Sequence, residues 1–191
     1  MSNIFTKITS YMVNNRIIPA EDSAIYEYGL QQGFILLLNI VTMLLLGLLN
    51  HMLLESILFI FAYSPLRTFA GGFHARTQMR CYLGGIVLTQ AVLLAIRFIP
   101  QQLPGLLLLA AFAFAIIFAL APVADSNKPL TVKEKHVFRQ KAHRLLFVVL
   151  TVAVILLSLH YTQAAAAIII SLDALAIMLL LGYPQRPAEI E

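Results

Sequence analysis

Six long apolar runs, at about residues 29–50, 52–66, 82–99, 103–124, 145–162 and 164–182, constrain this chain more than any other feature. A helix rising about 1.5 Å per residue needs about 20 residues to cross a hydrocarbon layer about 30 Å thick, and most of these runs approach that length. With 60% hydrophobic and only 12% charged residues, the composition is far from that of a soluble domain. The expected fold is an all-α integral membrane protein with six transmembrane helices. No tandem repeat or low-complexity linker interrupts it, so residues 1–191 read as a single domain.

The run between Met52 and Leu66 is the shortest, and His51 and Arg67 are expected to complete its span. Glu55, near its outer end, reads as interfacial. Asn39 in the first run and Asp173 midway along the sixth are costly in hydrocarbon, so both should face protein or a wet cavity, with hydrogen bonds between helices as their role.

Six spans with both termini on one side place all but one of the thirteen Lys and Arg residues on that face, leaving Arg97 near the other. That bias marks a cytoplasmic face, so both termini and the two long polar loops are expected to be cytoplasmic. The lone cysteine then sits in a reducing compartment and cannot form an internal disulfide. The first 28 residues are too polar for a signal peptide. Ile4, Phe5, Ile8, Tyr11 and Met12 recur at helical spacing opposite Lys7 and Asn14, which predicts an N-terminal amphipathic helix lying among lipid headgroups. Pro19 followed by Glu21, Asp22 and Ser23 predicts a new helix start.

The chemistry gathers in the first long loop, which reads Arg67-Thr-Phe-Ala-Gly-Gly-Phe-His-Ala-Arg-Thr-Gln-Met-Arg-Cys81. A thiol and an imidazole are a nucleophile and its base if they can meet. On one unbroken helix, His74 and Cys81 would share a face but stand about 10.5 Å apart along the axis. Gly71-Gly72 breaks the helix, so His74 can fold back. Thr77 can cap the third span and put Cys81 in or just after its first turn, where the positive helix end, Arg76 and Arg80 favour a thiolate. Spacing alone leaves the bland alternative open: a small packing cysteine and an interfacial histidine.

In the second long loop, residues 125–144, Thr131 and Glu134 have capping-box spacing. The stretch from Val132 to Arg144 predicts a basic helix with Val137 and Phe138 turned to the membrane. Acidic lipid headgroups are one partner for its charge, at about 1 kcal/mol per basic residue near such a surface. Two other functions compete. His74 with Cys81 and His136 with His143 repeat one separation and could hold zinc in a metal-dependent hydrolase, although pairs on different loops make a loose site. A small peptide transporter would show half-to-half symmetry and broken helices, and neither is clear here.

The first loop resembles the signature of the accessory gene regulator B (AgrB) family of membrane cysteine endopeptidases, which process bacterial quorum-sensing propeptides. An arginine and glycines precede a His-Ala pair, and the cysteine lies seven residues beyond the histidine. Here these are Arg67, Gly71, Gly72, His74, Ala75 and Cys81. Pro122, Asn127, Lys128 and Pro129 fit the second loop, and the resemblance covers essentially the whole chain.

The resemblance implies catalysis by Cys81 as nucleophile and His74 as base and acid. They act in a bacterial cell membrane on an AgrD-like propeptide, whose C-terminal tail is removed before the remainder closes into a thiolactone or lactone. Arg67, Gly71, Gly72 and Gln78 are the expected supporting groups, with Gln78 and backbone N–H groups of the glycine pair or of the helix start as candidates for the oxyanion. Lys128, Lys133, Lys135, Arg139 and Lys141 are expected to steer the acidic propeptide tail. No metal, cofactor or nucleic acid is expected. Lipid is a partner, and Gly84-Gly85 allows close helix contact within the chain or across a homodimer.

Overall fold

A computed structural model describes residues 2–73, 77–123 and 131–185 of the chain. Its α-helices are α1 (Ser2–Asn14), α2 (Ser23–Leu49), α3 (Leu53–Ala70), α4 (Gln78–Phe98), α5 (Leu103–Leu120), α6 (Val132–Ser158) and α7 (Thr162–Gly182). Short 3-10 turns occupy Ala20–Asp22 and Tyr183–Gln185, and no strand occurs among the described residues. From α2 to α7, six helices are long and apolar enough to cross a membrane. The protein is an all-α, multi-pass integral membrane protein with a separate N-terminal helix.

Contacts divide the chain into two compact units, Met1–Thr42 and Met43–Glu191, with the boundary inside α2. In the first, Pro19 holds extended backbone ahead of the 3-10 turn, and α2 begins at Ser23, earlier than hydropathy alone suggests. Within this unit the Thr6 hydroxyl donates to Glu27 Oε1 at 2.7 Å, and the rings of Phe5 and Phe34 lie 5.7 Å apart. Ile4, Ile8 and Tyr11 stay on the surface of α1, free to meet lipid.

In the second unit α7 is the core. It is apolar around its whole circumference, as a helix surrounded by other helices must be. Fully 72% of its most apolar window is buried, against 39% at most in any other span. Small side chains such as Ala165, Ala166 and Ala167 let neighbours approach closely, which matters because lipid is as apolar as the helices themselves. Phe59 and Leu66 of α3, Leu93 and Ile96 of α4, and Ile117 of α5 join it in one buried cluster.

Two expectations of hydrogen bonds between helices, at Asn39 and Asp173, fail here. Glu55, in the first turn of α3, is only 8% exposed, and its Oε1 accepts the Gln163 amide at 2.5 Å. A partner at the start of α7 makes burial tolerable. Asn39 bonds its own helix, through Ile35 O at 2.9 Å. Asp173 does face protein, but neither buried carboxylate oxygen has a hydrogen-bond partner.

The basic stretch is not a separate surface helix either. It forms the first turns of α6, which runs unbroken into the fifth span because no Gly or Pro interrupts residues 132–158. The capping box at its start is as the spacing predicts, with Glu134 N on Thr131 Oγ1 at 3.3 Å and Thr131 N on Glu134 Oε2 at 3.0 Å. Phe138 packs its ring edge on Phe69 of α3, centroids 5.7 Å apart, instead of facing lipid.

Candidate functional site

The helical path of α3 passes Pro65 and stops at Ala70. Gly71 and Gly72 then take φ of +72° and +109°, a backbone region that side chains disfavour, and the chain leaves the helix axis. The freed turn is bonded on several sides. Gly71 N donates to Arg67 O at 3.0 Å, closing the helix end, and Val123 N donates to Ala70 O at 2.8 Å. Gly72 N reaches Val123 O at 3.3 Å, and Phe73 N reaches Met178 O of α7 at 2.9 Å. The guanidinium of Arg67 folds over the turn and donates to the carbonyl oxygens of both Gly71 and Phe73. A planar fork of donors suits that double contact better than an ammonium would.

Space is as restricted as bonding. A Cβ on Gly71 would overlap Val123 O, and one on Gly72 would overlap the Arg67 guanidinium and lie 2.9 Å from Met178 O. On the α7 side, Gly182 is buried, and a Cβ there would stand 2.5 Å from Gly72 C and 2.9 Å from Gly72 Cα. The turn therefore lies between Val123 and the last turn of α7 with no room for a methyl group on either side.

Beyond residues 74–76, α4 begins where the sequence predicts. Thr77 is its N-cap, its hydroxyl accepting from Arg80 N at 3.3 Å. Cys81 N donates to Thr77 O at 3.0 Å, so the thiol stands at the end of the first turn. It is exposed. Gln78, exposed, is the first residue of the helix. Tyr63 is buried on α3 and stacked on Phe59, with ring centroids 5.0 Å apart.

Of the expected site residues, Arg67, Gly71 and Gly72 meet in the hydrogen-bonded turn, and Cys81 is exposed on the first turn of α4. His74, the expected base, and Arg76 lie outside the described residues, as do Lys128, Asn127 and Pro129. Of the expected tail-binding residues, Lys133, Lys135 and Arg139 are exposed on the first turns of α6. Lys141 places its Nζ over the Phe69 ring, 5.2 Å from the centroid. Through Phe69 and Phe138 the basic segment packs on the end of α3 that carries Arg67.

The proposed second histidine pair is occupied otherwise. His136 Nε2 lies 2.9 Å from the Gln140 amide, and His143 stacks on Phe118 with its Nε2 3.1 Å from Phe118 O. Among the described residues no three His, Cys, Asp or Glu side chains gather as metal ligands. Sequence reading missed Val123, Met178 and Gly182, which frame the turn. The first two contribute backbone atoms and carry no side-chain signal, and Gly182 looks like an ordinary helix end.

The family described as Accessory gene regulator B matches residues 5–180. The protein named "Putative AgrB-like protein 2" from Clostridium perfringens (strain 13 / Type A) is 30% identical over 151 residues, covering 75% of this chain and 71% of its own. "Putative AgrB-like protein" from Clostridium perfringens (strain SM101 / Type A) is 27% identical over 149 residues, covering 74% and 70%. No solved structure matches the chain.

Proposed function

The chain belongs to the accessory gene regulator B family, and from that premise we propose that it is a membrane cysteine endopeptidase acting on an AgrD-like propeptide. The observation that carries this reading is the exposed thiol of Cys81 on the first turn of α4, in the segment that also holds the turn clasped by Arg67 and, next in sequence, His74.

Cys81 Sγ attacks the carbonyl carbon at the junction between the future signal and its C-terminal tail, while His74 takes the thiol proton. The C–N bond breaks, His74 returns that proton to the departing amine, and a thioester joins the signal segment to Cys81. An internal Cys or Ser of the propeptide then attacks the thioester and gives its proton to His74. The C–S bond to Cys81 breaks, a cyclic thiolactone or lactone leaves, and the proton returns to the thiol. Ring closure outruns hydrolysis when the site holds the internal nucleophile close and limits water. Donors for the oxyanion come from Gln78 and from backbone N–H groups at the start of α4.

The acidic tail docks on Lys128, Lys133, Lys135, Arg139 and Lys141. Packing of α6 on Phe69 supports this, because it brings the basic turns to the reactive end of α3. The charge bias makes that end cytoplasmic, along with both termini, in a bacterial cell membrane. A Cβ built on Gly84 would meet nothing within 4 Å, so that face of α4 has room for a second copy of the chain.

The test is incubation of the purified protein in lipid vesicles with its cognate propeptide, followed by mass spectrometry. An acyl adduct on Cys81 and a product lighter by the tail are expected. Equal cleavage by C81A would overturn the reading.

A further inference from the structure

We infer that Gly182 is a positioning residue for this reaction: its missing side chain seats the Gly72–Phe73 backbone against α7 and so fixes Phe73, the residue that immediately precedes His74 in the sequence. The inference rests on the peptidase reading and adds to it a residue that lies outside both long loops.

The contact is between backbones. A methyl group on Gly182 would stand 2.5 Å from Gly72 C and 2.9 Å from Gly72 Cα, atoms that cannot rotate away as a side-chain tip can. One partner must shift by about 1 Å to restore an ordinary contact. Helix α7 is held in place, because Leu175, Ala176 and Leu179 are fully buried in the core on the turns just before. The turn is the softer partner. It is held by single hydrogen bonds, Phe73 N to Met178 O at 2.9 Å and Gly72 N to Val123 O at 3.3 Å, and by the Arg67 clasp. A side chain at 182 therefore pushes the turn off α7 while the bundle keeps its packing.

A displacement of that size is small for folding and large for catalysis. Misplacing a reacting group by about 1 Å can cost about 100-fold in rate. Gly182 lies within the α7 helix without a left-handed φ, so alanine there suits the backbone and favours the helix. Stability and catalysis should therefore respond differently to one substitution, which a purely structural glycine would not produce.

The experiment compares the full-length wild-type protein, G182A, R67K and the double variant in lipid vesicles with the cognate propeptide, recording kcat, KM and thermal unfolding. We expect G182A to lose about 100-fold in kcat, with KM and the unfolding midpoint close to wild type. In the double variant the losses should be less than multiplicative, because both changes displace the same backbone. Wild-type kcat in G182A overturns the inference, as does strictly multiplicative loss. A G182A chain that no longer folds overturns it too, since Gly182 would then serve the bundle and not the turn. Failure of the peptidase reading is seen separately, as cleavage by C81A.

Discussion

The amide of Val123 donates to the carbonyl oxygen of Ala70 at 2.8 Å, and Val123 O receives Gly72 N at 3.3 Å in return. The segment leaving α5 is thus stitched to the segment leaving α3. Lys128 follows Val123 closely in sequence, so the loop assigned to the propeptide tail starts at the turn assigned to catalysis. On the proposed function, the binding loop and the catalytic turn share one backbone junction.

Replacing Cys81 by alanine should reduce tail removal to below about one part in 10⁴ of wild type, as loss of a nucleophile does. The side chain is exposed, so the unfolding midpoint in detergent should barely move. Mass spectrometry of the propeptide reaction checks the first statement and a thermal melt the second.

Arg67→Lys keeps the charge but cannot donate to the Gly71 and Phe73 carbonyls together with a planar fork. Losing one charge-assisted bond is worth about 1.5–3 kcal/mol. If that loss appears in the placement of the turn, kcat should fall by about 10–100-fold with KM little changed. Steady-state kinetics showing the reverse pattern would make Arg67 a substrate contact instead.

Reversing Lys133, Lys135 and Arg139 to Glu should raise KM for the propeptide much more than it lowers kcat, and added salt should shrink the difference. A propeptide with a neutralised tail should be indifferent to the change. Unaltered peptide affinity in the reversed protein would assign these residues to lipid headgroups.

Glu55→Ala leaves the exposed Gln163 amide without its partner at 2.5 Å. Water can take that partner's place, so the expected cost is about 0.5–1.5 kcal/mol. A double-mutant cycle with Gln163→Ala, read from thermal melts, should show clear coupling. Independent effects would mean that the pair is not formed in lipid.

Asp173→Leu removes two buried oxygens that have no hydrogen-bond partner. Stability should rise by about 1–3 kcal/mol, the usual cost of burying such a group unpaired, while propeptide cleavage stays at the wild-type rate. A folded variant that had lost cleavage would instead make this carboxyl part of the reaction.

Local physics made much of this legible in advance. Span count follows from apolar length, the Thr77 cap and the Thr131–Glu134 box from residue type at fixed spacing, and the break after Ala70 from paired glycines. Relationships between distant elements were hidden. Nothing in the sequence links Glu55 with Gln163, or Phe73 with Met178, because those pairs depend on how α3 and α7 pack. The basic stretch misled for another reason. Its charge reads as a surface segment, yet its residues are good helix formers and simply lengthen α6 at the water side.

The seat of Phe73 on Met178 has a consequence for biosynthesis. A ribosome makes Cys81 and its neighbouring histidine long before it makes the helix on which their loop rests. During that interval the thiol is present but the seat of Phe73 is unfinished. On the proposed function, cleavage would wait for insertion of α7, which would make completion of the bundle its own safety catch.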